Sequence, residues 1–277
     1  MSKSASVRPI SQAARAGGTS EHKPGSAVTD AAAGSAAADA AAGRATRRDA
    51  QKRAAAEAAV ALVQEGMVVG LGTGSTAAFA IDALARRVSQ GLRVLGIPTS
   101  ARSATQARDA GIPLTSLTEH RRVALTIDGA DEIATGSLDL IKGLGGALLR
   151  EKIVAMASDR LVIVADAAKL VQRLGVTVPV PVEVVRFGWE TTEERLAALG
   201  CHPVLRRDAD GHPFHTDGGN LILDCGFGPI ADPAALEHTL SGIVGVVETG
   251  LFIGMAHMAL VADDDGLRKL MHGEPAD

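Results

Sequence analysis

Tyrosine is absent from the 277 residues, tryptophan occurs once, at Trp189, and phenylalanine five times. A core so poor in aromatics has to be filled by Val, Leu, Ile and Ala, as in a sheet covered by helices. The same scarcity argues against single-stranded nucleic-acid binding, which relies on aromatic stacking platforms. Positive charge is not in excess either: a net charge of −4 leaves no electrostatic footprint for DNA or an anionic membrane. The two cysteines, Cys201 and Cys225, lack CxxC spacing, so neither a disulfide framework nor a zinc centre is expected, and a reducing, cytoplasmic compartment is the natural setting. Long apolar runs are missing. The most apolar stretch, 242–262, is broken by Glu248, His257 and four glycines. Spanning helices need about twenty predominantly apolar residues, so it reads as two buried strands.

What remains is an ordinary globular composition, 46% hydrophobic and 22% charged. Residues 1–45 are Ala-, Gly- and Ser-rich and hold almost no large apolar side chain, which predicts a disordered low-complexity tail. The tail has no apolar core of a secretory signal, and its acidic Glu21, Asp30 and Asp39 do not suit a transit peptide; a functionless extension is the expectation. From about Arg47 the pattern becomes regular. A helix over 49–64 leads to the strand 67–71, a glycine loop and a second helix over 76–88, the opening of a βαβ unit. Strands at 93–97, 123–127 and 161–165 alternate with helices at 100–110 and 146–158. Continuous apolar strands separated by helices predict an α/β fold, a Rossmann-like, mostly parallel sheet with helices on both faces.

After Val178 the order changes to βαββαβ: strands at 181–185, 202–206, 220–224 and 244–247, with helices at 191–199 and 233–240. This is the ferredoxin-like split. Residues 178–248 are therefore expected to form a smaller inserted α+β domain, and residues 46–177 with 249–277 the Rossmann-like main domain. The chain is expected to re-enter the main sheet through 251–253 and 258–261.

Three loops could carry chemistry. The run 70–76 joins a strand to a helix N-terminus, where free N–H groups, the helix dipole and the hydroxyls of Thr73, Ser75 and Thr76 favour a phosphate. It lacks the Gly-Lys-Ser/Thr of a P-loop, and the next strand ends in Ile97-Pro98-Thr99-Ser100 rather than in an acid that would hold a nucleotide ribose. A tight turn with a hydroxyl cap would have the same sequence. Asp128-Gly129-Ala130-Asp131-Glu132 follows a buried strand, at the end where open α/β sheets bind ligands. Two carboxylates three residues apart can share a pocket and push their pKa values apart, but a solvated turn, a helix cap or a cation site fits that spacing equally. Lys142-Gly143-Leu144-Gly145-Gly146 permits close backbone approach to a ligand, ahead of a helix carrying Arg150-Glu151-Lys152. A lone helical Glu such as Glu151, or a Lys such as Lys169, is most often a surface residue. His212 and His215 lie in a turn-rich hairpin rather than at metal spacing, and no Gly-x-Ser-x-Gly elbow marks a hydrolase.

Taken in order, these runs resemble the type A ribose-5-phosphate isomerases. The resemblance extends from Arg47 to the C-terminus and includes residues 70–76, 128–132, Lys-Gly-Leu-Gly-Gly-Ala-Leu-Leu-Arg-Glu-Lys at 142–152 and Ala-Asp-Ala-Ala-Lys at 165–169. Pro-Val-Pro-Val-Glu-Val at 179–184, Asp-Gly-Gly-Asn at 217–220 and Gly-Leu-Phe at 250–252 match as well. It implies a cofactor-free, metal-free interconversion of ribose 5-phosphate and ribulose 5-phosphate, a step of the non-oxidative pentose phosphate pathway, by a homo-oligomer, with a dimer favoured. It also implies residue roles. Glu151 is the general base, Asp128 and Asp131 contact sugar hydroxyls and assist ring opening, and Lys142 and Lys169 supply positive charge. Thr73, Gly74, Ser75, Thr76, Gly129 and Gly143 line the substrate site, and Lys52 reaches toward phosphate. Leu144 stands where the family commonly has a third glycine, and Leu149 where threonine is frequent. Other readings of the scaffold are a related sugar-phosphate isomerase or deaminase, a non-catalytic sugar-phosphate sensor and, on its glutamate, a coenzyme A transferase.

Overall fold

The computed structural model describes residues 27–273, with side chains from Ala42 onward. The chain divides into two compact units, 1–44 and 45–277. Helix α1 runs Ala27–Val60, so it is helical through the part of the expected tail that lies within the described residues. Its alanine content accounts for this: Ala has the highest helix propensity, and helix formation there needs no buried face. The rest of the expected tail, 1–26, lies outside the described residues.

In the second unit, β1 (Val68–Leu71), α2 (Ser75–Ser89), β2 (Leu95–Pro98), α3 (Ala101–Asp109) and β3 (Leu125–Asp128) open the main sheet. Two very short strands follow, β4 (Glu132–Ala134) and β5 (Leu140–Ile141), then α4 (Leu148–Met156), β6 (Leu161–Asp166) and β7 (Leu170–Val171). The inserted segment comprises β8 (Val180–Val184), α5 (Trp189–Ala197), β9 (His202–Leu205), β10 (Leu221–Gly226), α6 (Pro233–Ser241) and β11 (Val246–Thr249). The chain ends with β12 (Leu251–Phe252), β13 (Met258–Ala262) and β14 (Leu267–Met271).

The main sheet has the order β14-β13-β6-β3-β1-β2, parallel except for the edge hairpin β13–β14. From β1 the chain steps outward to β2, then returns to the other side of β1 as β3 and continues outward to β6. The order therefore reverses between β1 and β3, and a crevice opens at their carboxyl ends. The 72–76 loop follows β1, and Asp128 terminates β3: both phosphate-loop and acidic motifs sit at that crevice.

The inserted strands form an antiparallel sheet in the order β11-β8-β10-β9, the ferredoxin-like arrangement expected from the sequence. The return path differs from expectation. β12 does not enter the main sheet; it pairs with β5, Leu251 opposite Ile141, in a third sheet of order β12-β5-β4-β7. Only β13 rejoins the main sheet, beside β6. Strands of two or three residues are too short for a periodicity to show, so β4, β5 and β7 left no signal.

Candidate active site

Asp128 stitches the crevice together. Its Oδ1 accepts the backbone N–H groups of Thr73 (3.0 Å) and Gly129 (2.8 Å), tying the loop after β1 to the end of β3. This approach needs Gly72, because a Cβ there would lie 2.2 Å from Oδ1 and 2.6 Å from Asp128 Cα. Gly72→Ala is expected to destabilise the fold by roughly 1–3 kcal/mol, as overpacking against backbone does, measured as a lower melting temperature.

Lys142 follows β5, with its N–H held by the Gly250 carbonyl at 2.9 Å. Its ammonium lies 3.0 Å from Asp128 Oδ2 and 3.2 Å from Glu151 Oε2, and donates to the Gly129 carbonyl at 2.6 Å. All three side chains are 4% exposed or less. Phe252 packs beneath, its ring centroid 5.3 Å from the Lys142 ammonium and 5.0 Å from that of Lys152, a cation–π contact that steadies both lysines. Burial disfavours a charged Lys142, yet Asp128 and Glu151 outweigh it, and the pKa lies above the ordinary lysine value. It is a permanent cation.

Glu151 sits in the first turn of α4, where the helix brings it back over the crevice. Its Oε2 is buried, and the Lys142 ammonium 3.2 Å away is the group it pairs with. Burial, then the Asp128 charge, push the Glu151 pKa up to about 8, against the pull of Lys142. Asp128 is likewise raised by burial, with Lys142 opposing. A buried carboxylate tuned close to neutrality on the wall of a cleft is suited to take and return a proton.

Lys142 and Glu151 face a cleft of about 440 Å³, counted out into open solvent, whose wall also includes Thr73–Thr76, Gly129–Asp131, Gly143, Gly145 and Lys169. Lys169 ends a short 3₁₀ turn after β6, and its ammonium has no ion-pair partner among the described residues. Lys52, on α1, donates to Ser75 Oγ at 3.1 Å and so stands behind the loop. Gly74 takes φ 114°, ψ 175°, open to glycine, and the α2 N-terminus it precedes has no side-chain cap, leaving its N–H groups for a ligand.

Three sequence expectations need adjusting. Thr73 does not turn its hydroxyl to the cleft: it lies 2.8 Å from the hydroxyls of Thr99 and Ser100 and 3.1 Å from that of Ser103, in a buried cluster. Thr99 and Ser100, read as suited to an anion or sugar, are consumed there too, Ser100 capping α3 through Ser103 N–H. Thr73 therefore offers the cleft its backbone. Asp128 lies behind the cleft wall, its oxygens spent on backbone and Lys142. Glu132, adjacent to Asp131, faces away and receives the N–H of Gly175 (2.6 Å) and Val178 (3.1 Å) and the Thr177 hydroxyl (2.6 Å), anchoring the link into the small domain.

The two leucine departures are benign by position. Leu144 is not among the residues of positive φ, its side chain is 40% exposed, and its N–H donates to Asp131 Oδ2 at 3.0 Å. The backbone at 144 does the work and no glycine is required. Leu149 borders a separate small hollow with Glu183, Thr216 and Asp217. His212 and His215 are exposed; His212 lies near Asp208 and Asp210, but Asp208 Oδ1 is taken up by the turn's own N–H groups. No helix among the described residues is long and apolar enough to cross a membrane.

Sequence reasoning missed the small-domain groups that touch this site. Arg206 donates to the carbonyls of Gly143 (2.7 Å) and Leu144 (3.0 Å), and the Phe214 ring packs on Gly146 so tightly that a Cβ there would lie 2.4 Å from it. Asp217 accepts the Ala101 N–H at 2.7 Å and pairs with Arg150 at 3.2 Å. Each lies at least fifty residues from its partner, beyond the reach of local pattern.

The model of the family described as ribose 5-phosphate isomerase A (phosphoriboisomerase A) matches residues 95–266. A ribose-5-phosphate isomerase A of Synechococcus sp. (strain JA-3-3Ab) is 61% identical over 223 residues, 80% of this chain and 97% of that protein. One from Gluconobacter oxydans (strain 621H) is 57% identical over 225 residues, 81% and 96% of the two. Among solved structures, ribose 5-phosphate isomerase A from Methanocaldococcus jannaschii superposes with a TM-score of 0.77 at 39% identity, covering 80% of this chain and 98% of that one. A D-ribose-5-phosphate isomerase in complex with phospho-erythronic acid gives 0.79 at 36%, covering 81% and 99%.

Proposed function

Because the chain belongs to the ribose 5-phosphate isomerase A family, we propose that it interconverts ribose 5-phosphate and ribulose 5-phosphate at the cleft between β1 and β3, with Glu151 carrying the proton. The observation that carries this reading is Glu151 itself: a buried carboxylate on the cleft wall, with Oε2 paired to a fixed ammonium 3.2 Å away.

Aldose–ketose isomerisation moves a proton between adjacent carbons through an enediolate. One carboxylate can remove it from C2 and return it to C1, so the step is redox-neutral and needs no external hydride acceptor. Negative charge develops on the enediolate oxygens. Lys142 is positioned to receive it, because its charge is already desolvated and its ammonium does not have to be recruited from water. The phosphate is assigned to the 74–76 backbone and hydroxyls, with Lys169 and Lys52 as counter-charges. Gly129 and Gly143 bring backbone close to the sugar, and Asp131 offers a carboxylate to its hydroxyls. For ring opening, which the family resemblance gives to Asp128, the geometry supports an indirect share: Asp128 reaches the cleft through the ammonium it holds.

The test is formation of ribulose 5-phosphate from ribose 5-phosphate in the presence of chelator, with deuterium uptake from heavy water at the exchanged carbon. Failure to turn over while ribose 5-phosphate still binds would favour the sensor reading. With the base at about pKa 8 in the free protein, kcat/KM is expected to fall about tenfold per pH unit below that value. A profile flat from pH 6 to 9 would remove Glu151 from the role.

A homodimer in the cytoplasm belongs to the same proposal. Phe187, 96% exposed, and Val244, 82% exposed, offer apolar surface on the small domain, and both cysteines are free. Sedimentation at micromolar concentration measures the assembly.

A further inference from the structure

The loop 142–146 joins the ammonium of Lys142 to the helix that carries Glu151, and its own chemistry gives it little reason to hold one shape. Three of its five residues are glycine, with Gly143 at φ 106° and Gly146 at φ 80°. Glycines lose the most conformational freedom on ordering. The helix that follows begins at Leu148, and its N-cap residue, Ala147, supplies no side-chain cap. One bond within the loop, from the Gly146 N–H to the Gly143 carbonyl at 3.0 Å, closes a single turn, and the remaining order must come from outside it.

Part of that order comes from Asp131, which takes the Leu144 N–H at 3.0 Å, and from the Gly250 carbonyl, which takes the Lys142 N–H at 2.9 Å; the rest comes from one side chain of the small domain. Arg206, just past β9, places Nη1 2.7 Å from the Gly143 carbonyl and 3.0 Å from that of Leu144. A planar donor bridging two successive carbonyls fixes the peptide between them. The other edge of the guanidinium is held by Asp224 of β10, through Nε at 2.9 Å and a second, short bond from Nη2. This doubly bonded pair is itself only 12% and 20% exposed, so the fork is preset rather than recruited. Phe214, from the same sheet's hairpin, packs on Gly146 and blocks the loop from lifting.

We infer that Arg206 is a positioning residue for the isomerisation: seated on Asp224, it fixes the glycine loop and thereby the distance between Lys142 and Glu151. The small domain is then part of the reacting geometry without touching the substrate. The inference rests on the functional reading above. It identifies what the inserted domain contributes: a rigid fork on a glycine-rich loop.

A displacement of the reacting groups by an ångström costs rate far more than binding. Arg206→Ala in the full chain is expected to lower kcat by roughly 30- to 100-fold, with KM for ribose 5-phosphate within about threefold of wild type. Millimolar methylguanidinium should restore part of the Ala variant's kcat, an effect that a purely structural loss would not show. Arg206→Lys keeps the charge but not the fork, and should fall between Ala and wild type; it carries the test if the Ala variant does not fold. The inference is overturned if both folded variants keep kcat within about twofold, if the loss lies wholly in KM, or if activity merely tracks the folded fraction and methylguanidinium restores none. A wild-type protein without turnover sinks the functional reading instead, so the two failures are separable.

Discussion

Glu151→Gln is expected to lower kcat by roughly three to four orders of magnitude while raising the melting temperature at pH 8. The first half follows from the loss of a buried cleft-wall carboxylate whose pKa is raised and which stands 3.2 Å from a fixed ammonium. The second half follows from the same raised pKa. In the folded protein Glu151 titrates at about 8, against an ordinary value of 4.5. The folded state thus binds the proton more tightly than the unfolded chain, and the stability this confers is present below pH 4.5. It is lost progressively as pH rises through the window to about 8. Glutamine keeps the shape and has no charge to bury, so it carries no such slope. Lys142 is not orphaned by the change, since Asp128 remains 3.0 Å away. Melting temperatures of wild type and variant should converge near pH 5 and separate toward pH 8, with the variant higher. Parallel melting curves at both pH values would show that Glu151 is not held against its own charge, and the base assignment would lose its physical basis.

The difference between what local sequence could and could not announce is visible in this same group. The strand–glycine–helix run at 68–76 and the strand ending at Asp128 are local patterns, and the parallel sheet they predict places both at the reversal between β1 and β3. Glu151, by contrast, sits on a helix whose Ile153 and Met156 are largely exposed, so periodicity alone gives no reason to bury it. Its recognition came from the ordered set of motifs. Thr73 marks the opposite error: a hydroxyl in a phosphate-type loop suggested a ligand contact, but Ser103, thirty residues on, claims it. The third sheet was invisible because its strands are held by Lys142, Gly250 and their neighbours rather than by any alternation of their own. In the sequence Arg206 is only the last residue of the strand 202–206, and it is the register of β9 against β10 that brings it to Asp224 and the glycine loop.

Lys142→Met is expected to cost both activity and stability, and the two losses should come apart on a second substitution. The ammonium is the counter-charge for Asp128 and Glu151 and the donor to the Gly129 carbonyl. Removing one partner of a buried ionic group costs roughly 3–5 kcal/mol, because the remaining charge is left without compensation. Here the remaining groups are carboxylates whose pKa values are already raised by burial. Without Lys142 they rise further, so the folded variant keeps its protons and stands near wild type in acid. The deficit then grows as pH rises and the two acids are forced to ionise. Turnover should drop by roughly two to three orders of magnitude where the base is ionised, as loss of an oxyanion donor does, and by more at lower pH, because the base is protonated over a wider range. Adding Asp128→Asn removes the acid that Lys142 touches most closely and should return much of the stability at pH 8, but none of the turnover. Such non-additivity is diagnostic of groups in direct contact. A double variant that regained activity along with stability would mean that Lys142 serves only to neutralise Asp128, and the enediolate charge would have to be met by the backbone N–H groups of the glycine loops alone.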